Sequence, residues 1–323
     1  MRRREFIGLL GGAAAAWPLA VRAQTSASPI VGVLWPGAEP PAPPRMESFR
    51  QTLRQLGYVE GQNIGIELRY ARGGLQQLPA LAAELVGLKP DVLFAPGDLA
   101  PKIAQQATST IPIVAMSDDI LGAGLVASLS HPGGNTTGLT IMAPELSAKR
   151  LEVLREMVPG MARVAALWDP TTGASQVGLT ERAAKSLNLD LQVLEVRRRE
   201  DVGAAFRAAR DRRADAINVF SSPFLASLFR EIILLSAEYR LPAIYQWKEH
   251  VEAGGLVAFG PNLAAMFRQT AAIVVKLLKG AKPGDLPVEQ PTKFELALNV
   301  RTAQALGLAI PPSILVRADD VVE

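Results

Sequence analysis

One strand–helix pattern occurs twice along the chain, and this repetition constrains the fold more than any other feature. Residues 30–37 (IVGVLWPG) and 163–170 (RVAALWDP) are short apolar runs that end in a tryptophan and turn-forming residues. Runs of this kind, bounded by turn formers, are typical of strands that are buried on both faces. Each run opens a series of alternating strand and helix patterns, so the sequence predicts two α/β units of the same design.

The later predicted strands of the two series correspond in order and spacing. Residues 91–94 (DVLF) match 215–218 (DAIN), and residues 111–114 (IPIV) match 241–244 (LPAI). With the opening runs, the matched strands are 133, 124 and 130 residues apart. Chance likeness between buried strands is the alternative, but matched order and spacing favour one architectural unit used twice. We therefore expect two Rossmann-like lobes with parallel sheets.

The first 23 residues have the composition of an export signal. Residues 2–4 are arginines, residues 7–20 are apolar, and residues 21–23 (VRA) resemble a signal-peptidase site. The order RREFI at residues 3–7 indicates a twin-arginine signal, with an ordinary secretory signal as the alternative. Residues 1–23 are therefore predicted to be removed, and the remaining chain is predicted to be a soluble periplasmic protein.

Charge and composition exclude several classes of function. The formal net charge is +3, and residues 1–23 contain four arginines and one glutamate, so signal removal leaves a neutral chain. A neutral chain has no excess charge to favour nucleic acid or anionic membranes. The chain has no cysteine, which excludes disulfides, thiolate zinc sites and a cysteine nucleophile. The short basic clusters at residues 197–199 and 212–213 are predicted to be solvated.

The usual catalytic and cofactor motifs are missing. The two histidines, His131 and His250, have no second ligand type at metal spacing, and we expect a turn residue and an exposed residue respectively. The glycines at residues 133–134 do not follow a strand and open a helix, so a dinucleotide site is unsupported. No cofactor, metal or catalytic residue is predicted.

Candidate ligand-binding residues follow the predicted strands. In open parallel sheets, ligands lie outside the carboxyl ends of the strands. The polar, aromatic, proline and glycine residues at those ends are Trp35, Pro36, Gly97, Asp98, Ser117, Asp118, Asp119, Trp168, Asp169, Ser221, Ser222, Tyr245 and Gln246. Carboxylates pair with ammonium groups, while hydroxyls and helix N-termini bind carboxylates, so we expect a small polar or zwitterionic solute. The alternative is that these residues are polar only because turns are polar in any protein. The two tryptophans either stack on the solute or only form a wall of the site.

Several stretches carry a resemblance to a known family. They are residues 53–63 (LRQLGYVEGQN), 124–138 (GLVASLSHPGGNTTG), 148–152 (AKRLE), 252–262 (EAGGLVAFGPN) and 286–323, which ends in RADDVVE. The chain resembles the ABC transporter substrate-binding protein family that includes tryptophan-binding and other aromatic-amino-acid-binding members. The resemblance implies the type I periplasmic binding fold, in which two lobes are joined by three hinge strands.

The resemblance also implies an organisation and a mode of action. Residues 28–139 plus 261–288 would form the N-terminal lobe, and residues 140–260 plus 289–323 the C-terminal lobe. The lobes would close on a solute, and the closed monomer would be recognised by an ABC permease in the inner membrane. Asp98 departs from the family pattern by placing a carboxylate where relatives often carry a small hydroxyl residue, which weakens a transfer of amino-acid specificity.

Three hypotheses of function follow from the sequence. The first is a periplasmic solute receptor of an ABC importer, with no chemistry of its own. The second is an exported α/β hydrolase-like enzyme, although the absence of a nucleophile–base pair argues against it. The third is a solute receptor that reports to a sensor protein instead of a permease.

Overall fold

The chain folds into two α/β units, each built around a largely parallel sheet. The structure is a computed structural model that describes residues 28–37, 43–72 and 74–323. The predicted export signal at residues 1–23 lies outside the described residues. Within the described ranges, every helix is too short or too polar to span a lipid bilayer.

The first sheet is built from five parallel strands. They are β1 (Ile30–Trp35), β2 (Gly65–Tyr70), β3 (Val92–Pro96), β4 (Ile113–Ser117) and β5 (Thr136–Thr140), in the order β2-β1-β3-β4-β5. The helices that connect them are α1 (Pro43–Gln55), α2 (Leu78–Gly87) and α3 (Leu99–Ala107). Every residue of β3 and β4 is buried, as expected for inner strands covered by helices on both faces.

The second sheet has seven strands and repeats the parallel arrangement. Its strands are β6 (Arg163–Trp168), β7 (Asp190–Glu195), β8 (Ala216–Val219), β9 (Ala243–Tyr245), β10 (Val257–Pro261), β11 (Phe294–Asn299) and β12 (Asp320–Val322). Its order is β12-β11-β10-β9-β8-β6-β7, and only the pairing of β10 with β11 is antiparallel. The helices around this sheet are α4 (Ala143–Met157), α5 (Ser175–Ser186), α6 (Asp201–Asp211), α7 (Pro223–Ser227), α8 (Phe229–Glu238) and α9 (Lys248–Glu252).

The chain then returns to the first sheet. Helix α10 (Leu263–Leu278) follows β10 but packs against α1, and Phe267 of α10 meets the ring of Phe94 edge-on at 5.9 Å. Beyond α10, Glu289 pairs with β5, because its carbonyl accepts a hydrogen bond from Thr140 N at 3.0 Å. The chain ends with α11 (Val300–Leu306) and α12 (Pro312–Arg317) on the second unit.

These packing relations define two lobes. The first lobe is the sheet β1–β5 with α1, α2, α3 and α10, and the second lobe is the sheet β6–β12 with the other helices. This arrangement confirms the predicted fold class of two α/β lobes with parallel sheets.

One local prediction was wrong. His250, expected to be exposed, is only 2 % exposed, and its ring stacks on Phe229 at 5.1 Å. Two prolines begin helices in this lobe: Pro223 begins α7, which ends before Leu228, and Pro312 begins α12, a position where the missing N–H of proline costs nothing.

Candidate functional site

A cavity lies between the two lobes, at the carboxyl ends of strands from both sheets. It encloses about 380 Å³ of atom-free space, part of which is open to solvent. Its walls are Trp35, Arg45, Pro96, Gly97, Met116, Asp118, Leu263 and Phe267 of the first lobe, Ser221, Ser222, Pro223, Ala226, Gln246 and Trp247 of the second lobe, and Ile141 at the crossing between the lobes.

One part of the cavity is aromatic. The indoles of Trp35 and Trp247 come from different lobes and are 6 % and 5 % exposed. The hydrogen-bond network assigns the amide of Gln246 so that its oxygen accepts from Trp247 Nε1 at 2.8 Å and its nitrogen donates to the Phe220 carbonyl at 3.2 Å. Gln246 therefore fixes the orientation of the Trp247 ring, and both atoms of its amide are used in doing so.

The first lobe contributes two adjacent carboxylates that differ in their partners. Asp98 Oδ1 accepts hydrogen bonds from Ser117 Oγ at 2.5 Å, from Asp118 N at 3.0 Å and from Asp119 N at 3.4 Å. Burial raises the pKa of Asp98 to about 6, against these hydrogen bonds, which lower it. Asp98 thus organises the loop after β4 and is buried with only 3 % of its surface exposed.

Asp118 joins the two lobes. Its Oδ1 accepts a short hydrogen bond from Ser221 Oγ of the second lobe, whereas its Oδ2 is buried and has no partner. Burial, followed by the charge of Asp98, raises the pKa of Asp118 well above its usual range. The cavity therefore contains a carboxylate with one oxygen left unsatisfied.

In the second lobe, Ser221 is held on both sides of its peptide unit by one side chain. Gln176 Oε1 accepts from Ser221 N at 2.9 Å, and Gln176 Nε2 donates to the Ser221 carbonyl at 2.9 Å. Ser147 Oγ also donates to Gln176 Oε1 at 3.0 Å and accepts from Arg150 Nη2 at 2.8 Å. The Ser221 hydroxyl is thereby fixed at the point where it meets Asp118.

Asp169 and Ser222 form the neighbouring part of the second-lobe wall. Ser222 Oγ donates to Asp169 Oδ2 at 2.6 Å and accepts from Phe224 N and Leu225 N, so it also caps the start of α7. Asp169 accepts two further hydrogen bonds, from the backbone N and the hydroxyl of Thr171 at 2.9 Å and 2.8 Å. All these groups are paired within the second lobe.

The lobes also approach each other closely at Gly97. Its φ of +78° is in the left-handed region, and a Cβ placed on it would lie 2.8 Å from Pro223 Cγ of the other lobe. Glycine is therefore required at this position by backbone geometry and also by the approach of the second lobe.

The structure brings ten of the thirteen predicted site residues to the facing ends of the lobes. Trp35, Gly97, Asp118, Ser221, Ser222 and Gln246 line the cavity. Pro36, Asp98 and Asp169 line a narrow gap beside it, between the lobes. Ser117 lies behind them, fully buried, as a donor to Asp98.

Three predicted residues lie away from the cavity. The carboxylate of Asp119 turns back and accepts from Gly122 N at 2.9 Å, which closes a local turn. Trp168 donates from Nε1 to the Gly173 carbonyl at 3.1 Å and so stays on the surface of its own lobe. Alternation along β9 places Tyr245 on the core face of the sheet, with its hydroxyl 3.3 Å from Ser236 Oγ.

Arg45 and Gln176 are among the polar residues of this region that were not predicted from the sequence. Arg45 lines the cavity; its Nε is buried without a partner, and burial lowers its pKa. Its spacing of four residues from the buried Phe49 is the signal that places it on the inner face of α1. Gln176 lies within α5, and no pattern in the sequence distinguishes it from a surface glutamine.

Two further observations bear on chemistry. Within residues 28–37, 43–72 and 74–323, no group of three or more histidine, aspartate or glutamate side chains is placed to hold a metal ion. Arg150 is buried near Asp118 and donates to the Phe259 carbonyl at 3.2 Å, and burial lowers its pKa to about 9.

Comparison with known protein families gives one match that spans most of the chain. The family described as ABC transporter substrate binding protein matches residues 38–322. A tyrosine-binding protein of Clostridioides difficile (strain R20291) is 25% identical over 266 residues, which cover 81% of this chain and 76% of that protein.

Solved structures share the whole architecture. A conserved domain protein from Vibrio cholerae is 28% identical, with a TM-score of 0.84 over 91% of this chain and 99% of that one. A domain from Streptococcus pneumonia in complex with L-Trp is 24% identical, with a TM-score of 0.84 over 91% of this chain and 100% of that one. A ligand-free, open substrate binding protein from Clostridium difficile is 23% identical, with a TM-score of 0.64 over 91% of this chain and 99% of that one.

Proposed function

The chain belongs to the ABC transporter substrate binding protein family, and from this premise we propose that it captures an aromatic amino acid between its lobes for an importer. The observation that carries the proposal is a cavity in which two buried indoles from different lobes meet the buried carboxylate of Asp118 and the buried Nε of Arg45. The family is one of binding proteins, and the predicted strand-end residues that line the cavity would act as binding groups.

The two ends of the cavity suit the two ends of an aromatic amino acid. Trp35, Trp247 and Phe267 offer ring faces and edges against which an aromatic side chain packs. Asp118 Oδ2 and Arg45 Nε are unpartnered groups of opposite charge, which match an ammonium and a carboxylate. The tyrosine-binding relative and the L-Trp complex support this class of solute.

Closure of the lobes would couple binding to transport. A ligand favours the closed form only if it contacts both lobes, and the cavity is lined by both. The lower TM-score to the open relative, 0.64 against 0.84, is what a different arrangement of the lobes would produce. The proposed hinges are the three crossings near residues 139–142, 259–261 and 288–292, which divide the chain into lobes 28–139 plus 261–288 and 140–260 plus 289–323.

The setting of this function follows from the sequence. The export signal proposed for residues 1–23 would deliver the chain to the periplasm as a soluble monomer. Its partner would be an ABC permease in the inner membrane. A sensor protein is the alternative partner, and neighbouring permease and ATPase genes would favour transport.

Calorimetric titration of the purified chain with L-tryptophan, L-tyrosine and L-phenylalanine tests the proposal. We expect saturable binding of at least one of them, and no binding of a non-aromatic amino acid such as L-aspartate. Steady release of a product from any bound compound would instead identify the hydrolase-like alternative. Failure of all three aromatic amino acids to bind would remove the proposed solute.

A further inference from the structure

The carboxylate of Asp118 is buried in the closed cavity with one oxygen that nothing satisfies. Ser221 Oγ of the second lobe donates to Oδ1, and Oδ2 has no hydrogen-bond partner. The residue is 1 % exposed and lines the cavity. An ionised oxygen that is buried without a partner is costly, so this atom indicates a position that favours a cation or a proton.

None of the charged side chains around Asp118 donates a hydrogen bond to its Oδ2. Asp98 after β3, Asp119 in the same loop and Asp169 after β6 are carboxylates, and the charges of Asp98 and Asp169 raise its pKa. Arg150 of α4 has the opposite effect; its Nη1 and Nη2 donate to Phe259 O and Ser147 Oγ, and its Nε is buried without a partner. Arg45 of α1 lines the same cavity, yet within the described part of the chain it forms no ion pair with Asp118.

Among the three neighbouring carboxylates Asp98, Asp118 and Asp169, Asp118 is the one at which protonation is least costly. Asp98 accepts three hydrogen bonds from Ser117, Asp118 and Asp119, which favour its ionised form. Asp169 likewise accepts from Thr171 and Ser222. Asp118 accepts only one, so protonation at Asp118 costs the fewest hydrogen bonds.

We propose that Asp118 is a cation subsite, filled by the ammonium group of the solute when the lobes close on it and by a proton when they close empty. The inference rests on the proposed function in assigning the cation to an amino acid. It makes Asp118 a residue that determines specificity: at neutral pH, a solute without a cationic group leaves the carboxylate unpaired in the closed form.

The proposal has a consequence for empty closure. When the lobes open, Asp118 would face water, its pKa would fall towards the ordinary range of an aspartate, and it would be ionised at neutral pH. Closing empty then requires the uptake of a proton, so the ratio of closed to open empty protein rises by up to about tenfold for each unit by which the pH falls through the range between the pKa values of the two forms. At neutral pH the empty protein is held open, and the ammonium of the solute relieves this constraint.

The distance between the two lobes, measured in the empty protein at different pH values, tests whether closure requires a proton. Because the chain has no cysteine, Gln51→Cys on α1 and Lys185→Cys on α5 give two label sites without background, both exposed and one on each lobe. We expect the closed fraction of the unliganded, spin-labelled chain to increase as the pH falls from 7.5 to 5. A closed fraction that does not change over this range overturns the inference.

Three variants test whether Asp118 causes the response of closure to pH. Asp118→Asn keeps the shape of the side chain without its titration, so its empty form should close at pH 7.5 and lose most of the pH dependence of the parent. Ser221→Ala should close less at every pH but keep the response, and Asp190→Asn, an exposed carboxyl on the second lobe, should behave as the parent. An equal pH response in Asp118→Asn overturns the inference, whether or not the variant closes at neutral pH.

Solute analogues test the ammonium separately. At pH 7.5 we expect indole-3-propionate, which lacks the ammonium, to bind the parent on the order of 100-fold more weakly than L-tryptophan, and Asp118→Asn to reduce this ratio below about tenfold. An unchanged ratio in Asp118→Asn overturns the cation subsite. If no amino acid binds but the closure of the empty protein responds to pH through Asp118, the proposed solute is wrong and the proton site is supported. If amino acids bind but closure does not respond to pH, the proposed function is supported and the proton site is wrong.

Discussion

The two walls of the interlobe cavity differ in how far their polar groups are already satisfied. In the second lobe, Gln176 holds Ser221 through two hydrogen bonds, and Ser222 donates to Asp169 at 2.6 Å. In the first lobe, Asp118 Oδ2 and Arg45 Nε are buried without partners. Apart from the Ser221 hydroxyl, which donates to Asp118 of the first lobe, the polar groups of the second-lobe wall are therefore paired within that lobe, whereas the first-lobe wall lacks two contacts.

This difference assigns separate tasks to the two lobes. A wall whose hydrogen bonds are already made loses little entropy on binding, so the second lobe can close as a rigid surface. Unsatisfied buried groups discriminate strongly, because a solute that cannot pair them leaves their desolvation uncompensated. We expect the first lobe to select the solute and the second lobe to report its presence by closing.

The largest effect is expected where the two walls touch. Gly97→Val adds a Cβ that would lie 2.8 Å from Pro223 Cγ, at a backbone φ of +78° that disfavours valine. The lobes cannot then reach the closed arrangement, and we expect solute affinity to fall by more than about 1,000-fold (about 4 kcal/mol) in calorimetric titration.

Gly124→Val is the matched control for this substitution. Gly124 lies in the same lobe with φ +68°, and a Cβ placed on it has no atom within 4 Å. It carries the same backbone strain without the contact between lobes. Equal loss of affinity in the two variants would mean that strain, not contact, causes the effect and that the lobes do not close at Gly97.

The paired tryptophans give the next largest effect. Trp35→Ala removes an indole that lines the cavity and is 6 % exposed, and we expect affinity for an aromatic amino acid to fall by about 100-fold. Trp168→Ala removes the equivalent residue of the second lobe, which donates to the Gly173 carbonyl and stays outside the cavity. We expect that variant to bind within about threefold of the parent, measured by the same titration.

Comparable losses in Trp35→Ala and Trp168→Ala would contradict this asymmetry. Such a result would place both indoles on the solute, as the symmetry of the repeated sequence pattern allows. Thermal unfolding of both variants separates a loss of contact from a loss of fold.

The repeated pattern predicted the location of the site because topology alone decides it. Strand ends of parallel sheets meet at one edge, so Gly97, Asp118 and Ser221 could be placed at the cleft without knowledge of any side-chain direction. The sequence does not show in which direction each side chain points. Trp35 and Trp168 end equivalent strands, yet one ring enters the cavity and the other bonds to its own lobe.

Two other residues show why the prediction of the site was incomplete. Arg45 follows a proline-rich stretch and has the polarity of a surface residue, although its position one helical turn before Phe49 places it inward. Gln176 acts through the backbone of Ser221, 45 residues away along the chain. A contact of this separation depends on how α5 packs against α4 and β7, and no local pattern encodes it.

A smaller effect is expected from the network of the second lobe. Gln176→Ala removes both hydrogen bonds to the Ser221 peptide and leaves buried groups unsatisfied, so the free energy of unfolding should fall by about 2 kcal/mol in urea denaturation. Affinity should decrease less than in Trp35→Ala, because no contact to the solute is lost. Gln304→Ala on the exposed face of α11 is the control, and it should leave both quantities unchanged.

A fall in affinity with unchanged stability in Gln176→Ala would reverse this interpretation. It would mean that Gln176 contacts the solute itself and that the second-lobe wall is not complete in the empty cavity.

The smallest effect is expected from Asp119, the carboxylate next to Asp118. Its side chain accepts from Gly122 N at 2.9 Å and does not line the cavity, and the Asp119 N–H that reaches Asp98 is retained in alanine. Asp119→Ala should therefore change solute affinity by less than about threefold, while Asp118→Asn weakens a cationic solute by at least about tenfold. Two adjacent carboxylates in one loop would then differ only in the direction that each side chain takes. A tenfold loss in Asp119→Ala with an unchanged unfolding temperature would show that Asp119 turns into the cleft when solute is bound, so that the first-lobe wall also rearranges on binding.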